Sequence, residues 1–88
     1  MLQRQHFTVT IVAIYLVVRL AVETDAEVTY HFGGAEHRFE RELTIRKADY
    51  SVRFADGKED PIGVMAAGLV IGRHRAGGEW ARVASRQS

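Results

Sequence analysis

The histidines are the residues of this 88-residue chain with the most versatile chemistry, because an imidazole can bind a metal ion or transfer a proton near neutral pH. There are four of them, His6, His31, His37 and His74. A four-residue turn between His31 and His37 would place the two rings on opposite faces of a hairpin, whereas a five-residue turn would place both on one face. Even then a metal would lack a third ligand. We therefore predict structural histidines, with no metal site and no cofactor.

Other catalytic groups lack a recognisable arrangement. The eleven Asp and Glu residues are spread along the chain, and no pair among them is marked as a general acid and base. Ser51, Ser85 and Ser88 lie in no nucleophile motif. Because the chain has no cysteine, neither a disulfide framework nor a zinc–thiolate site is available to it. The sequence thus indicates no catalytic residue and favours a protein that is not an enzyme.

Four residues near the C-terminus form the best candidate site in the sequence. Residues 61–88 carry four arginines against one acidic residue, a net charge of +3, whereas the whole chain has a net charge of +1. If the chain forms a hairpin here, Arg73, Arg75 and Arg82 share a face with Trp80. Guanidinium groups beside an indole can hold an anion, a protein partner or a stacked base. The alternative interpretation is a half-buried Trp80 that anchors a sheet beneath solvated arginines.

The element that must organise the fold is the apolar segment Phe7–Val22, FTVTIVAIYLVVRLAV. Its many β-branched residues lose rotamer freedom in a helix and pack well on a pleated sheet, so we predict a long N-terminal strand. A helix, or a membrane or signal segment, is the alternative. The segment is shorter than the ~20 apolar residues that a bilayer requires, and Arg19 interrupts it. We therefore expect no membrane span and a cytoplasmic protein.

This strand would be apolar on both faces, which predicts self-association. One short helix can cover only one of the two faces. An exposed apolar patch of more than about a few hundred Å² is unusual on a soluble monomer, and a two-fold dimer is the commonest way to cover one. We predict a homodimer centred on this segment. The expected interface residues are Ile14, Tyr15, Leu16 and Val18.

The clearest local pattern is a β-hairpin around Gly33 and Gly34. Apolar and polar residues alternate on both sides of this glycine pair, as in strands that have one buried face. A four-residue loop would pair Tyr30 with Phe39. The face predicted to be buried consists of Val28, Tyr30, Phe32, His37, Phe39, Leu43 and Ile45. Arg41 falls on the same face, where it either reaches water at the sheet edge or meets an anion or a partner.

A third strand and a helix follow this hairpin. Apolar and polar residues alternate again over Tyr50–Phe54. Asp60 and Pro61 predict a helix start, since Asp is a favoured N-cap residue and Pro suits the first helical position. Because glycines disfavour a helix interior, we expect a short helix near residues 60–68.

The last segment predicts a second hairpin around another glycine pair, Gly77 and Gly78. Its strands would cover Leu69–Arg75 and Trp80–Ser85. A helix that continues through Arg75 and stops at Gly77 is the alternative, since glycine is also the usual residue at a helix C-terminus.

Together these elements predict one small α+β domain over residues 1–88. It has a mostly antiparallel sheet of four to six strands, with a long N-terminal strand, two hairpins and one short helix. A core of this size is marginal, which again favours oligomerisation. The function we expect is that of a non-enzymatic interaction module that self-associates and binds a protein partner. The alternatives are a nucleic-acid or anion binder, acting through the C-terminal arginines, and a small-ligand or enzymatic pocket.

Overall fold

A five-stranded antiparallel sheet with one helix on it forms the described part of the protein, and the predicted α+β class is confirmed. The computed structural model describes residues 15–34 and 39–87. The elements are β1 (Tyr15–Glu23), β2 (Glu27–Gly33), β3 (Arg41–Arg46), β4 (Val52–Phe54), α1 (Pro61–Gly77) and β5 (Val83–Gln87). The strand order is β4-β3-β2-β1-β5, and all neighbours are antiparallel. The chain thus runs as a meander from β1 to β4, continues into α1, and returns beside β1.

β1 is the part of the apolar segment that the structure describes, and it is a strand, as predicted. Residues 7–14 of that segment lie outside the described residues. β1 lies between β2 and β5. Leu16 and Val18 are fully buried on the face toward α1, while Arg19 on the opposite face is exposed. A β-bulge near the end of the strand turns Val22 to the sheet face opposite to α1, where it is 55% exposed.

β2 and β3 form the predicted hairpin, but in a different register. Tyr30 lies opposite Leu43 and Phe32 opposite Arg41, whereas the predicted four-residue loop paired Tyr30 with Phe39. The partner of Tyr30 has moved by an even number of residues, so the strand side chains keep their predicted faces. The predicted apolar residues of the two strands are accordingly buried, namely Val28, Tyr30, Phe32, Leu43 and Ile45.

Phe39 is the residue that the predicted register misplaced. Its backbone is left-handed, with φ at 64°, and it precedes β3 instead of lying within it. This conformation is uncommon for residues other than glycine and does not continue an extended strand. The guanidinium carbon of Arg19 lies 4.2 Å from the centroid of the Phe39 ring, on the sheet face opposite to α1. Phe39 is therefore half-buried outside the core, and His37 lies outside the described residues.

α1 begins where the sequence predicts and ends later. Asp60 is the N-cap, and its carboxylate accepts a hydrogen bond from the backbone N–H of Gly63 at 2.8 Å. The helix then continues through residues 69–75 to Gly77, so the helical alternative is correct and the second hairpin is wrong. Gly78, with φ at 80°, forms a left-handed C-cap and donates its N–H to a carbonyl of the last helical turn at 2.7 Å. The second glycine pair therefore ends a helix and does not form a hairpin turn.

The chain returns to the sheet as β5, whose bounds Val83–Gln87 differ from the predicted Trp80–Ser85. It pairs with β1, because the segment predicted as its partner strand belongs to α1. Ala84 lies in the core, whereas Val83 is 56% exposed on the sheet face opposite to α1.

The core lies between α1 and the sheet. Ala66, Ala67 and Val70 of α1 are buried against the apolar residues of the strands. Gly63 allows the first helical turn to approach the sheet closely, since a Cβ there would lie 2.7 Å from the ring of Phe54. The close approach explains a glycine at this helical position.

Tyr30 fixes the connection after α1 to this core. Its side chain is fully buried, and its hydroxyl donates a 2.7 Å hydrogen bond to the carbonyl of Ala81. Burial, and secondarily the negative charge of Glu23, raise the pKa of Tyr30 to about 12. The hydroxyl therefore stays protonated well above the ordinary tyrosine pKa of about 10.

At pH 7 we expect the free energy of unfolding of the Tyr30→Phe variant to be about 1 kcal/mol lower than that of the wild type. The phenylalanine ring still fills the core, but the hydrogen bond is lost. The raised pKa stabilises the wild type fully below the unfolded pKa of about 10, and this stabilisation is lost as the pH rises toward the folded pKa of about 12. The free energy of unfolding in urea should therefore fall more steeply with rising pH for the wild type than for the variant over this range. Equal alkaline slopes would contradict the role given to the Tyr30 hydroxyl.

Candidate functional site

Arg41, which the sequence placed on the apolar face, is bound by the connection between β4 and α1. Its Nε donates to Asp56 at 2.9 Å, and its Nη1 donates to both carboxylate oxygens of Asp60 at 3.0 Å. Its Nη2 donates to the carbonyl of Lys58 at 3.1 Å, and its guanidinium carbon lies 4.8 Å from the centroid of the Phe32 ring. The anions that Arg41 meets thus come from the same chain, and Arg41 links β3 to the start of α1.

Both carboxylates of this cluster are held in their ionised form. The backbone N–H of Gly63, followed by Arg41, lowers the pKa of Asp60. The backbone N–H of Lys58, followed by Arg41, lowers the pKa of Asp56. A carboxyl general acid needs a pKa raised toward neutrality, which is the opposite direction. The cluster is therefore suited to positioning α1 and not to transferring a proton.

Three aromatic side chains meet at the C-terminal end of α1. The rings of His74 and Trp80 are stacked, with centroids 4.0 Å apart and an interplanar angle of 14°. Tyr50 stands edge-on to both rings, and its hydroxyl lies 2.7 Å from Nδ1 of His74. Tyr50 has a left-handed backbone, with φ at 62°, in the turn before β4. The three contacts hold the last turn of α1 against the β3–β4 connection.

The structure does not align the predicted arginines with Trp80 on one hairpin face. Arg73 and Arg75 are exposed on α1, and Arg82 is exposed just before β5. The hairpin that would align the three on one face does not form, because residues 69–75 are helical. One face of Trp80 is covered by His74, so the indole is not a free stacking surface on that side.

The three arginines have different neighbours in the structure. Arg75 lies with its guanidinium carbon 5.9 Å from the centroid of the Tyr50 ring. Arg73 and Arg82 line one shallow depression, together with the acidic residue Glu79. Anion binding by these residues stays a prediction, and its geometry differs from the predicted one.

Of the four residues predicted for a dimer interface, the structure describes the side chains of two, and neither is accessible. Leu16 and Val18 are fully buried within one chain, so a second chain cannot contact them while α1 stays on the sheet. Ile14 and the side chain of Tyr15 lie outside the described residues. Self-association stays a prediction, and its surface must be sought among exposed residues.

An exposed apolar surface lies on the side of α1 that faces away from the sheet. We call it the outer face, and it comprises Val64, Met65, Gly68, Leu69 and Gly72. Val64 is 52% exposed, both glycines are exposed, and the other two residues are half-buried. No residue between Pro61 and Gly72 has a polar side chain. A helix that is apolar on all sides is ordinarily covered on all sides, whereas the described residues cover α1 on one side.

Sequence reasoning missed the outer face because it ended the helix at Gly68. The signal was nevertheless present, since the twelve-residue stretch PIGVMAAGLVIG is apolar throughout. Had the stretch been interpreted as one helix, a single sheet could have covered only one side of it. The exposed remainder could then have been proposed as a contact surface.

Sites for metals and small ligands find little support in the described residues. Within 15–34 and 39–87, no group of three or more metal-ligating side chains could hold an ion. Four open depressions occur on this part of the surface, and none of these four is lined by a histidine. As for membranes, no helix in the described ranges combines the length and apolar character that spanning requires.

Comparison with known proteins adds no assignment. No protein-family model matches the chain, and neither does any curated protein or solved structure. Function must therefore be inferred from the chemistry and geometry of the chain itself.

We expect the Asp56→Asn variant to lose less stability in acid than the wild type. A lowered folded pKa stabilises the protein above the unfolded Asp pKa of about 3.9, and this stabilisation is lost as the pH falls through the folded pKa. Asn carries no titrating group. The free energy of unfolding in urea should therefore be higher for the wild type than for the variant at pH 7, and the two values should converge below about pH 3. Parallel curves over this range would show that neither the backbone N–H of Lys58 nor Arg41 holds the Asp56 carboxylate in solution.

Trp80→Ala should lower the free energy of unfolding by about 2 kcal/mol, because the half-buried indole loses its stacking on His74 and its contact with Tyr50. Arg82→Ala is the matched control, since its side chain is exposed nearby and should change stability by less than about 0.5 kcal/mol. Urea unfolding followed by far-ultraviolet circular dichroism measures both. Equal losses in the two variants would argue against the aromatic cluster as the contact that holds the helix end.

Proposed function

We propose that this chain is a small non-enzymatic interaction module that binds a protein through the outer face of α1. The observation that carries the proposal is a helix without polar side chains from Pro61 to Gly72 that has only one side against the sheet. Val64 on the other side is 52% exposed. Removing apolar surface from water is favourable by about 25 cal/mol per Å². A protein surface that covers the outer face therefore lowers the free energy of the system.

The charges around the outer face support a protein contact. Glu59 precedes α1, and Arg73 and Arg75 lie in its last turns; all three are exposed. An apolar centre with a charged rim is the usual composition of a specific protein interface. The rim also disfavours a purely lipid-facing role, since it carries charges of both signs.

The two alternative functions have weaker support. Nucleic-acid binding would use several guanidiniums on one surface, yet Arg41 is bound by carboxylates and Arg53 lies 3.4 Å from Glu27. A catalytic pocket would combine an enclosed apolar cavity with convergent polar groups. His74, which could act as an acid or a base in such a pocket, is instead stacked on Trp80.

Photo-crosslinking in the cells that produce the chain tests the proposal. Val64 is replaced by the photoreactive residue p-benzoylphenylalanine, which the exposed position tolerates. We expect a discrete protein adduct that disappears when Gly68→Lys is added, because a lysine there places a charge in the interface. A Cβ at Gly68 meets no described residue within 4 Å, so we expect that second substitution to leave the fold intact, which circular dichroism of the variant checks.

The matched control places the same photoreactive residue at Arg53, which is exposed on β4. This position lies away from the outer face and should give no discrete adduct. The proposal is wrong if a folded chain gives no adduct from position 64, or gives the same adducts from both positions.

A further inference from the structure

A second copy of this chain fits the outer face. We propose that two copies pack their α1 helices antiparallel, crossing at Gly68 on a two-fold axis. The inference rests on the proposed function, and it specifies which protein covers the outer face and in which orientation.

Gly68 and Gly72 are not explained by the fold of one chain. Glycine is among the least favourable residues in a helix interior, and Gly63 has a clear reason to be present, because a Cβ there would strike Phe54. Among residues 15–34 and 39–87, a Cβ at Gly68 or at Gly72 would instead meet nothing within 4 Å. Without side chains at these two positions, however, a second helix can approach the backbone of α1 closely.

The outer face is complementary to itself in this orientation. Val64 lies one helical turn before Gly68, and Gly72 lies one turn after it, so the three share one side of the helix. In an antiparallel pair that crosses at Gly68, Val64 of one copy meets Gly72 of the other, and the symmetric contact forms at the same time. The exposed valine then fills the space that the glycine leaves open. The half-buried Met65 and Leu69 border this contact.

The charges at the two ends of α1 select the antiparallel orientation. Arg75 lies two turns after Gly68 on the same side, and Glu59 lies just before the N-cap residue Asp60. Neither residue takes part in an ion pair among the described residues. The antiparallel crossing brings Arg75 of one copy to the helix start of the other, beside Glu59. A parallel pair would place Arg75 against its own symmetry mate, and like charges repel.

The expected dimer is weak. A 17-residue helix is about 25 Å long, and one such face is smaller than the ~800 Å² per partner of a standard interface. Interfaces at this end of the range belong to transient complexes. We therefore expect a reversible dimer with a micromolar or weaker dissociation constant.

Sedimentation equilibrium from low micromolar to near-millimolar concentration tests the packing. Gly72→Leu fills the space that Val64 of the second copy would occupy, and the Cβ of the added side chain meets no described residue of its own chain within 4 Å. We expect its dissociation constant to rise at least about tenfold, while its circular dichroism and unfolding midpoint match or exceed those of the wild type. Ser85→Leu, exposed on β5, is the matched control and should dimerise as the wild type does.

Charge reversal tests the orientation. Glu59→Arg and Arg75→Glu should each raise the dissociation constant about three- to tenfold, and the chain that carries both should return to the wild-type value. Within one chain the two residues are separated by the length of α1, so only a contact between copies can restore binding. If Gly72→Leu fails to fold, the comparison of the single and double charge reversals is sufficient to test the proposal.

The remaining outcomes overturn the inference. Additive losses in the doubly reversed chain exclude the antiparallel contact. A wild type that stays monomeric at near-millimolar concentration excludes the second copy, and the proposed function survives only if the adduct from position 64 contains another protein. Co-sedimentation with vesicles of neutral and anionic phospholipid that Gly68→Lys abolishes would instead assign the outer face to a membrane surface, and both proposals would then fail.

Discussion

The carboxylate of Asp60 is shared between a helix terminus and the half-buried guanidinium of Arg41, and the placement of α1 depends on this sharing. It accepts the backbone N–H of Gly63 at 2.8 Å and two hydrogen bonds from Arg41 at 3.0 Å. Arg41 stands on the apolar face of β3, where an unpaired charge would be strongly destabilising. Pairing with Asp60 removes that penalty only if the helix begins at this point above the sheet. The same contact thus decides which face of the sheet α1 covers.

Hydrophobic alternation predicted the buried face of the β2–β3 hairpin correctly although the predicted register was wrong. Alternation has a period of two, so it specifies the face of a residue such as Tyr30 or Leu43 but not its partner. The partner depends on the loop, where the left-handed backbone of Phe39 delays the start of β3. Nothing in the residue type of a phenylalanine indicates that conformation, so the error could not be avoided from one sequence.

The length of α1 was misjudged because local propensity and tertiary packing point in opposite directions. Gly68 and Gly72 weaken a helix, and a glycine pair suits a hairpin turn as well as it suits a helix end. Burial of Ala66 and Val70 against the sheet, together with caps at both ends, outweighs the glycines. The predicted alignment of the arginines with Trp80 depended on that strand, which is helical instead, while anion binding by these residues stays a prediction.

α1 is held at both ends, and no described residue outside the helix covers its outer side; this arrangement connects the fold to the proposed function. Asp60 and Arg41 fix its first turn, and the stacked rings of His74 and Trp80 fix its last. A helix fixed in this way tolerates interior glycines that would weaken it in isolation. A rigid surface also loses less conformational entropy on binding than a mobile one, which leaves more of the apolar contact energy available to the complex. The contacts that complete a marginal core therefore also prepare the outer face to be recognised.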